Sequence, residues 1–211
     1  MTGPQAITAS RFMADPQHAE STVDPESDIA LMERAAGGDE AAFATLVERH
    51  QHAVVGTVAK MLGNASEAED IAQQVFLRLW RSAKRYQPTA KFTTYLFTIT
   101  RNLVFNESRL RSRRKEVSMD EREETGPAHA DPHSEQQRDS ELLHSVLREA
   151  IDKAIESLPE NQRMAVVLRR YEGTPYEEIA EILDSSVSSV KSLLFRARDS
   201  LRQQLAQYLA E

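Results

Sequence analysis

Along most of the chain the apolar residues recur three and four positions apart, the spacing of one buried stripe on a helix. From Asp28 the positions Ile29, Leu31, Met32 and Ala35 predict a short helix that Gly37-Gly38 ends. Asp39 is placed to cap a longer one, lined by Phe43, Leu46, Val47, His50, Val54, Val58, Met61 and Leu62 and stopped by Gly63-Asn64. The next stripe is Ala68, Ile71, Ala72, Val75, Phe76 and Leu79, opened by Ser66 and Glu69 in the pattern of a capping box. It leaves Asp70, Gln73, Gln74, Leu77 and Arg78 on a second face, free for a partner. After Tyr86-Gln87-Pro88, where proline stops the helix, another helix turns Phe92, Tyr95, Leu96, Ile99 and Leu103 inward and runs out into Arg109, Arg111, Arg113, Arg114 and Lys115.

The C-terminal part repeats the helical period. Leu142, Leu143, Val146, Leu147, Ala150, Ile151, Ala154, Ile155 and Leu158 mark an amphipathic helix broken at Pro159. A second carries Met164, Val167, Leu168 and Tyr171 and closes at Gly173, where a left-handed residue is wanted. Thr174-Pro175-Tyr176-Glu177 starts a short helix with Thr174 as cap, carrying Ile179, Ala180 and Leu183 inward. Asp184-Ser185-Ser186 turns the chain, Ser186 caps, and the last helix buries Val187, Val190, Leu194, Ala197, Leu201 and Leu205. Helix, tight turn, helix is the unit that places a second helix in a DNA groove.

The rest of the chain has neither period. Residues 1–27 mix Pro4, Pro16 and Pro25 with small polar residues and read as a flexible tail. Residues 116–141 are acidic, hold Gly126, Pro127 and Pro132, and read as a linker. The expected architecture is therefore all-α: two small helical domains, over 28–115 and 142–209, joined by a flexible acidic linker.

Charge sharpens this picture. The 211 residues carry 33 acids against 26 lysines and arginines, a formal net charge of -7 that looks wrong for a nucleic-acid binder. Mapped along the chain, acid gathers in the tail and linker while base gathers at the end of the fourth helical pattern and on the last helix. Aromatics, amides and growing positive charge over residues 86–115 suit a single-stranded nucleic acid, whose phosphates want cations and whose bases want rings to stack on. Opposite the buried stripe of the last helix stand Ser188, Lys191, Ser192, Phe195 and Arg196. Small side chains allow close approach, Lys191 and Arg196 reach phosphates or guanine edges, and Phe195 can touch a thymine methyl.

Other chemistry is thin. The absence of cysteine excludes disulfides, thiolate catalysis and zinc-finger sites. His50 and His52 point to different helix faces, and prolines break the stretch around His129 and His133, so no metal site and no cofactor are expected. No apolar run reaches membrane-spanning length and no leader-like block opens the chain, which places it in the cytoplasm without membrane insertion. A metal-dependent nuclease built on Glu67, Glu69 and Asp70 is a competing reading, but helical spacing turns Glu69 away from the other two. A helix-turn-helix regulator acting without polymerase is a second, which leaves residues 66–115 unexplained.

Two motifs stand in a fixed order. Glu67-Ala68-Glu69-Asp70-Ile71-Ala72-Gln73-Gln74-Val75-Phe76-Leu77-Arg78-Leu79-Trp80-Arg81 and Phe92-Thr93-Thr94-Tyr95-Leu96-Phe97-Thr98-Ile99-Thr100-Arg101-Asn102 resemble region 2 of the extracytoplasmic-function sigma factors of bacterial RNA polymerase. Leu158-Pro159-Glu160-Asn161-Gln162-Arg163, followed by Tyr176-Glu177-Glu178-Ile179-Ala180 and Ser189-Val190-Lys191-Ser192, is similar to region 4 of the same family. The resemblance spans residues 28–209. It implies a factor that is not an enzyme, binds core RNA polymerase, directs it to promoters, opens the −10 DNA and is held by an anti-sigma factor. By the family pattern Asp70, Gln73, Gln74 and Leu77 would meet the clamp helices of the largest polymerase subunit. Tyr86 to Lys91, with Pro88 inside, would receive a flipped −10 base, and Asn102 and Asn106 would lie along the strand. Arg169, Ser188, Lys191, Ser192, Phe195 and Arg196 would meet the −35 element. Gln74 stands where the family commonly has glutamate, Tyr95 where tryptophan is frequent, and Leu193 where arginine is often found.

Overall fold

The computed structural model describes residues 26–117 and 135–208. Among them are eight α-helices and no strand. Helix α1 (Asp28–Ala36) begins where the Ser27 hydroxyl accepts the Ala30 amide, and α2 (Glu40–Leu62) where an Asp39 carboxylate oxygen accepts the Ala42 amide at 3.0 Å. That amide, and Arg34 beside it, hold the Asp39 carboxyl below the usual carboxylate range. Gly63 ends α2 in the left-handed region, φ 66°. Helix α3 (Ala65–Ser82) passes through a 3₁₀ turn over Ala83–Arg85 and a loop into α4 (Phe92–Val117). Ala68, Ile71, Ala72, Val75, Phe76 and Leu79 are all buried, as the spacing requires.

The cap of α3 differs from the expected Ser66–Glu69 box. Asn64 is the cap: its side-chain oxygen accepts the Ser66 amide and hydroxyl, and its amide group donates to Glu67. Two good capping types lie two residues apart, and the one nearer Gly63 takes the helix end.

In the second half, α5 (Glu135–Glu156) already runs through residues 135–141, which the sequence reading placed in the linker. The composition of that stretch has good helix propensity; Glu116 and Val117, also expected in the linker, are the last residues of α4, and residues 118–134, like the tail up to residue 25, lie outside the described residues. Helices α6 (Glu160–Arg170), α7 (Tyr176–Ile182) and α8 (Val187–Gln204) follow. Gly173 has φ 65° as expected, and Ser186 caps α8 by accepting the Ser189 amide. Thr174 is not a cap: α7 starts one residue later behind Pro175 with no side-chain cap, and Thr174 is buried. Tyr171, expected to point inward, is 44% exposed beneath the Lys60 ammonium, 4.3 Å from its ring centroid.

The two halves do not form separate cores. Their buried side chains make one continuous cluster, with α2 against α5 and α6, and α4 against α7. Polar contacts cross the junction as well: Thr57 to Glu172, Lys60 to Asp152, Lys91 and Thr94 to Glu178, and Arg163 to the Met61 carbonyl. A Cβ on Gly63 would run into the Glu156 carboxylate, so the halves meet closely there.

Candidate polymerase and nucleic-acid interfaces

Three exposed surfaces hold the residues singled out from the sequence. The first lies on α3. Asp70, Gln73, Gln74 and Leu77 are all exposed at spacings of three and four, and so share one face. Leu77 is 53% exposed, a large apolar side chain with no cover of its own. It stands at the edge of an open groove of about 500 Å³ between α2 and α3, lined also by Glu40, Phe43, Val47, Gln73, Phe76 and Trp80. The rings of Phe43 and Trp80 pack at 4.8 Å there. Sequence reasoning placed Phe43 in a buried stripe and gave Trp80 no role; the one available signal was an aromatic at the border of two helix faces.

The second surface follows α4. Asn102, Asn106, Arg109 and Arg113 are exposed and fall at helical spacings of four, three and four, a polar stripe on a helix whose other side buries Leu96, Phe97, Leu103 and Val104. The Asn102 side-chain oxygen accepts from Arg101 at 2.7 and 3.1 Å, and the Arg101 guanidinium sits 5.8 Å from the Phe105 ring. Arg111 has another task. It donates to the Leu62 carbonyl and pairs with Glu67 and Glu107, clamping α4 onto the ends of α2 and α3. Glu67 is thereby engaged, and no cluster able to hold a metal occurs among the described residues.

The loop ahead of α4 divides. Pro88 and Lys91 are exposed, but Tyr86 packs its ring 5.3 Å from Tyr95 and 6.4 Å from Phe92. Its buried hydroxyl has no hydrogen-bond partner, and burial raises its pKa, with Glu33, Asp28 and Tyr95 adding to the rise. Tyr86 is thus half-buried, with its hydroxyl end turned inward. Tyr95 donates to the Ser82 hydroxyl at 2.8 Å, fastening α4 to the end of α3. Lys91 reaches across to Glu178 on α7, 2.5 Å away.

The third surface is on the helix-turn-helix formed by α7 and α8. The turn takes Asp184 through φ 50°, a conformation aspartate tolerates better than most residues. On α8 Ser188, Lys191, Ser192 and Phe195 share one exposed face, with Arg196 beside it, and Phe195 is 71% exposed. Arg169 stands apart at the end of α6, donating to the Thr174 carbonyl and lying 5.1 Å from the Tyr176 ring, which fixes it beside the start of α7. His50 is a packing residue, with its ring nitrogen 2.8 Å from an Asp28 oxygen and its ring against Phe92.

Comparison with known proteins fits this arrangement. The family described as Sigma-70 region 2 matches residues 46–116, and Sigma-70, region 4 matches residues 148–201. The chain is 32% identical over 189 residues to the RNA polymerase sigma-H factor of Pseudomonas aeruginosa, covering 88% of this chain and 97% of that one. It is 34% identical over 180 residues to the ECF RNA polymerase sigma-E factor of Escherichia coli K12, covering 83% and 92%. Among solved structures, the sigma factor RpoE in complex with the anti-sigma factor NepR, from Bartonella quintana, is similar at a TM-score of 0.60 and 25% identity, over 78% of this chain and 96% of that one. The chain belongs to the extracytoplasmic-function sigma factors of bacterial RNA polymerase, DNA-binding factors of transcription initiation that are not themselves enzymes.

Proposed function

We propose that the first half seats on core polymerase and opens the −10 element while the second reads the −35 element. The observation that carries this reading is the pairing of two exposed stripes. One is Asn102, Asn106, Arg109 and Arg113 on α4; the other is Ser188, Lys191, Ser192 and Phe195 on α8. The first combines amides with cations, which serves an unpaired strand. The second combines small, cationic and apolar groups at the start of a recognition helix, which serves a major groove. The face of Asp70, Gln73, Gln74 and Leu77, with the apolar groove beside it, receives the clamp helices of the largest subunit. Pro88 and Lys91 border the flipped base, while Tyr86 supports that loop from inside. Arg169 and Arg196 hold phosphates beside the −35 groove.

Promoter opening is then close to balanced. Extruding a base costs a few kcal/mol, and stacking it returns about 1–3 kcal/mol. Small changes around Lys91 and Asn102 therefore alter promoter choice. Working on polymerase places the protein in the cytoplasm, and no described helix is long and apolar enough to cross a membrane. The similar RpoE chain is held by an anti-sigma factor, and we infer a partner of the same kind here.

The test is Lys191→Ala and Arg196→Ala in promoter binding by the reconstituted holoenzyme. A base contact costs about 1–3 kcal/mol concentrated on one base pair, whereas a phosphate contact weakens all sequences alike and flattens the salt dependence. Unchanged binding by both variants overturns the assignment of α8.

A further inference from the structure

We infer that Glu178 is an internal competitor for the −10 strand: its carboxylate holds Lys91 and Thr94 in the closed chain, and a DNA phosphate displaces it as the halves separate. This rests on the assignment of Lys91 to the −10 loop under Proposed function.

The closed chain cannot serve both promoter elements at once. Positions −10 and −35 lie 25 base pairs apart, about 85 Å along a duplex at ~3.4 Å per base pair. A compact body of this size has a radius of gyration of only about 15 Å. Helices α4 and α7 are in contact, and Lys91, just ahead of α4, lies 2.5 Å from Glu178 on α7. The halves must therefore come apart for the two readers to reach their elements, and whatever fastens α7 to α4 opposes promoter binding.

The fastening is chemical and local. One Glu178 oxygen pairs with the Lys91 ammonium at 2.5 Å, and the other accepts from the Thr94 hydroxyl at 3.5 Å. The Glu178 side chain is only 16% exposed, whereas that of Lys91 is 69% exposed. The acid is covered by the junction, and the lysine remains open to an approaching anion. Helix α7 supplies three carboxylates, Glu177, Glu178 and Glu181, and no base. It thus lays negative charge against the end of α4 that a phosphate would approach. An ammonium and a hydroxyl that donate to a carboxylate can donate to phosphate oxygens in its place, and the charged bonds to phosphate are likewise strong. Beside the shared apolar cluster, the junction carries further polar ties at Thr57, which is buried, and at the partly exposed Lys60 and Arg163, groups that water can satisfy once the halves separate.

The experiment uses the full chain. Because it has no cysteine, Ala44→Cys on α2 and Gln203→Cys on α8, both exposed, give unique sites for a fluorescent donor and acceptor. Without DNA, Glu178→Lys should lower energy transfer relative to the parent, and adding Lys91→Glu to it should restore transfer by reversing the pair. Adding single-stranded DNA of about 12 nucleotides to the parent at low salt should lower transfer progressively, and Glu178→Gln should bind that strand several-fold more tightly. Parent-like transfer in Glu178→Lys overturns the latch, as does failure of the reversed pair to restore it. Strand binding to the parent without loss of transfer overturns the competition. If Glu178→Lys opens the chain but Lys91→Ala leaves strand affinity unchanged, the latch stands and the −10 role of Lys91 is the part overturned.

Discussion

The Arg163 guanidinium donates to the Met61 carbonyl at 2.6 Å across 102 residues of sequence, and also to the carbonyls of Glu156 and Leu158. One side chain so closes the C-terminal ends of α2 and α5 together, supplying donors to carbonyls that a helix end leaves without partners. Burial pushes its pKa down from the ordinary arginine value, and its Nε is buried without a partner. Arg163→Ala strips three carbonyls of a charged donor. The expected loss is about 1.5–3 kcal/mol, read as a lower midpoint in urea unfolding, and an unchanged midpoint would remove Arg163 from the junction.

Tyr86 gives the opposite expectation. Its hydroxyl is buried without a partner, and an unsatisfied group of that kind costs about 1–3 kcal/mol. Tyr86→Phe keeps the ring contacts with Tyr95 and Phe92 and removes the cost. Thermal stability should rise or hold steady, and open-complex formation should be unaffected, since the hydroxyl faces inward. A fall in stability would mean the hydroxyl has a partner.

The junction should also respond to pH. Burial raises the pKa of Glu172, and the Thr57 hydroxyl that donates to it only partly opposes the rise. A raised pKa means the closed form holds the proton more tightly than the open one. The resulting stability is fully present below the ordinary value of 4.5 and is lost as pH rises through the elevated one. Closure measured by energy transfer should therefore weaken from pH 4.5 upward. Lys60 and Asp152 lie nearby and pair with each other, so Glu172→Gln is the control, and it should lose this part of the pH dependence. Identical profiles in parent and variant would contradict the expectation.

Much of this was legible in the sequence, for a physical reason. Hydrophobic spacing and terminal chemistry are local, so Asp39, Gly63, Gly173 and Ser186 announce helix ends that the fold keeps. Neighbouring candidates compete, however, and Asn64 took the role expected of Ser66. The stripe period says which face is apolar and not which helix covers it, so the joining of the halves through Thr57, Lys60, Lys91 and Arg163 had no local signal. For the same reason the packing of Tyr86, which the family resemblance sets in the −10 loop, against Tyr95 and Phe92 had no local signal.

Asn102 separates strand opening from duplex recognition. Its amide is exposed on α4, held by Arg101, and can offer both a donor and an acceptor to an unpaired base. Asn102→Ala should spare polymerase binding and −35 recognition and reduce open-complex formation on duplex promoters. A template already mismatched across the −10 element should recover part of the loss, because the unpairing cost is gone. Equal losses on both templates would assign Asn102 to base identity alone.

Of the three surfaces, the α3 face is the one on which docking to polymerase rests. The measurement is the affinity of the purified full chain for core RNA polymerase, parent against Leu77→Asp. Leu77 is 53% exposed and borders the groove of Phe43 and Trp80, so the charge should leave the fold intact, checked by its thermal midpoint. Burying an unpaired carboxylate at the interface should weaken core binding by more than tenfold, at a cost above ~1.4 kcal/mol. Parent affinity in a folded Leu77→Asp chain would contradict the placement of the polymerase-binding face on α3.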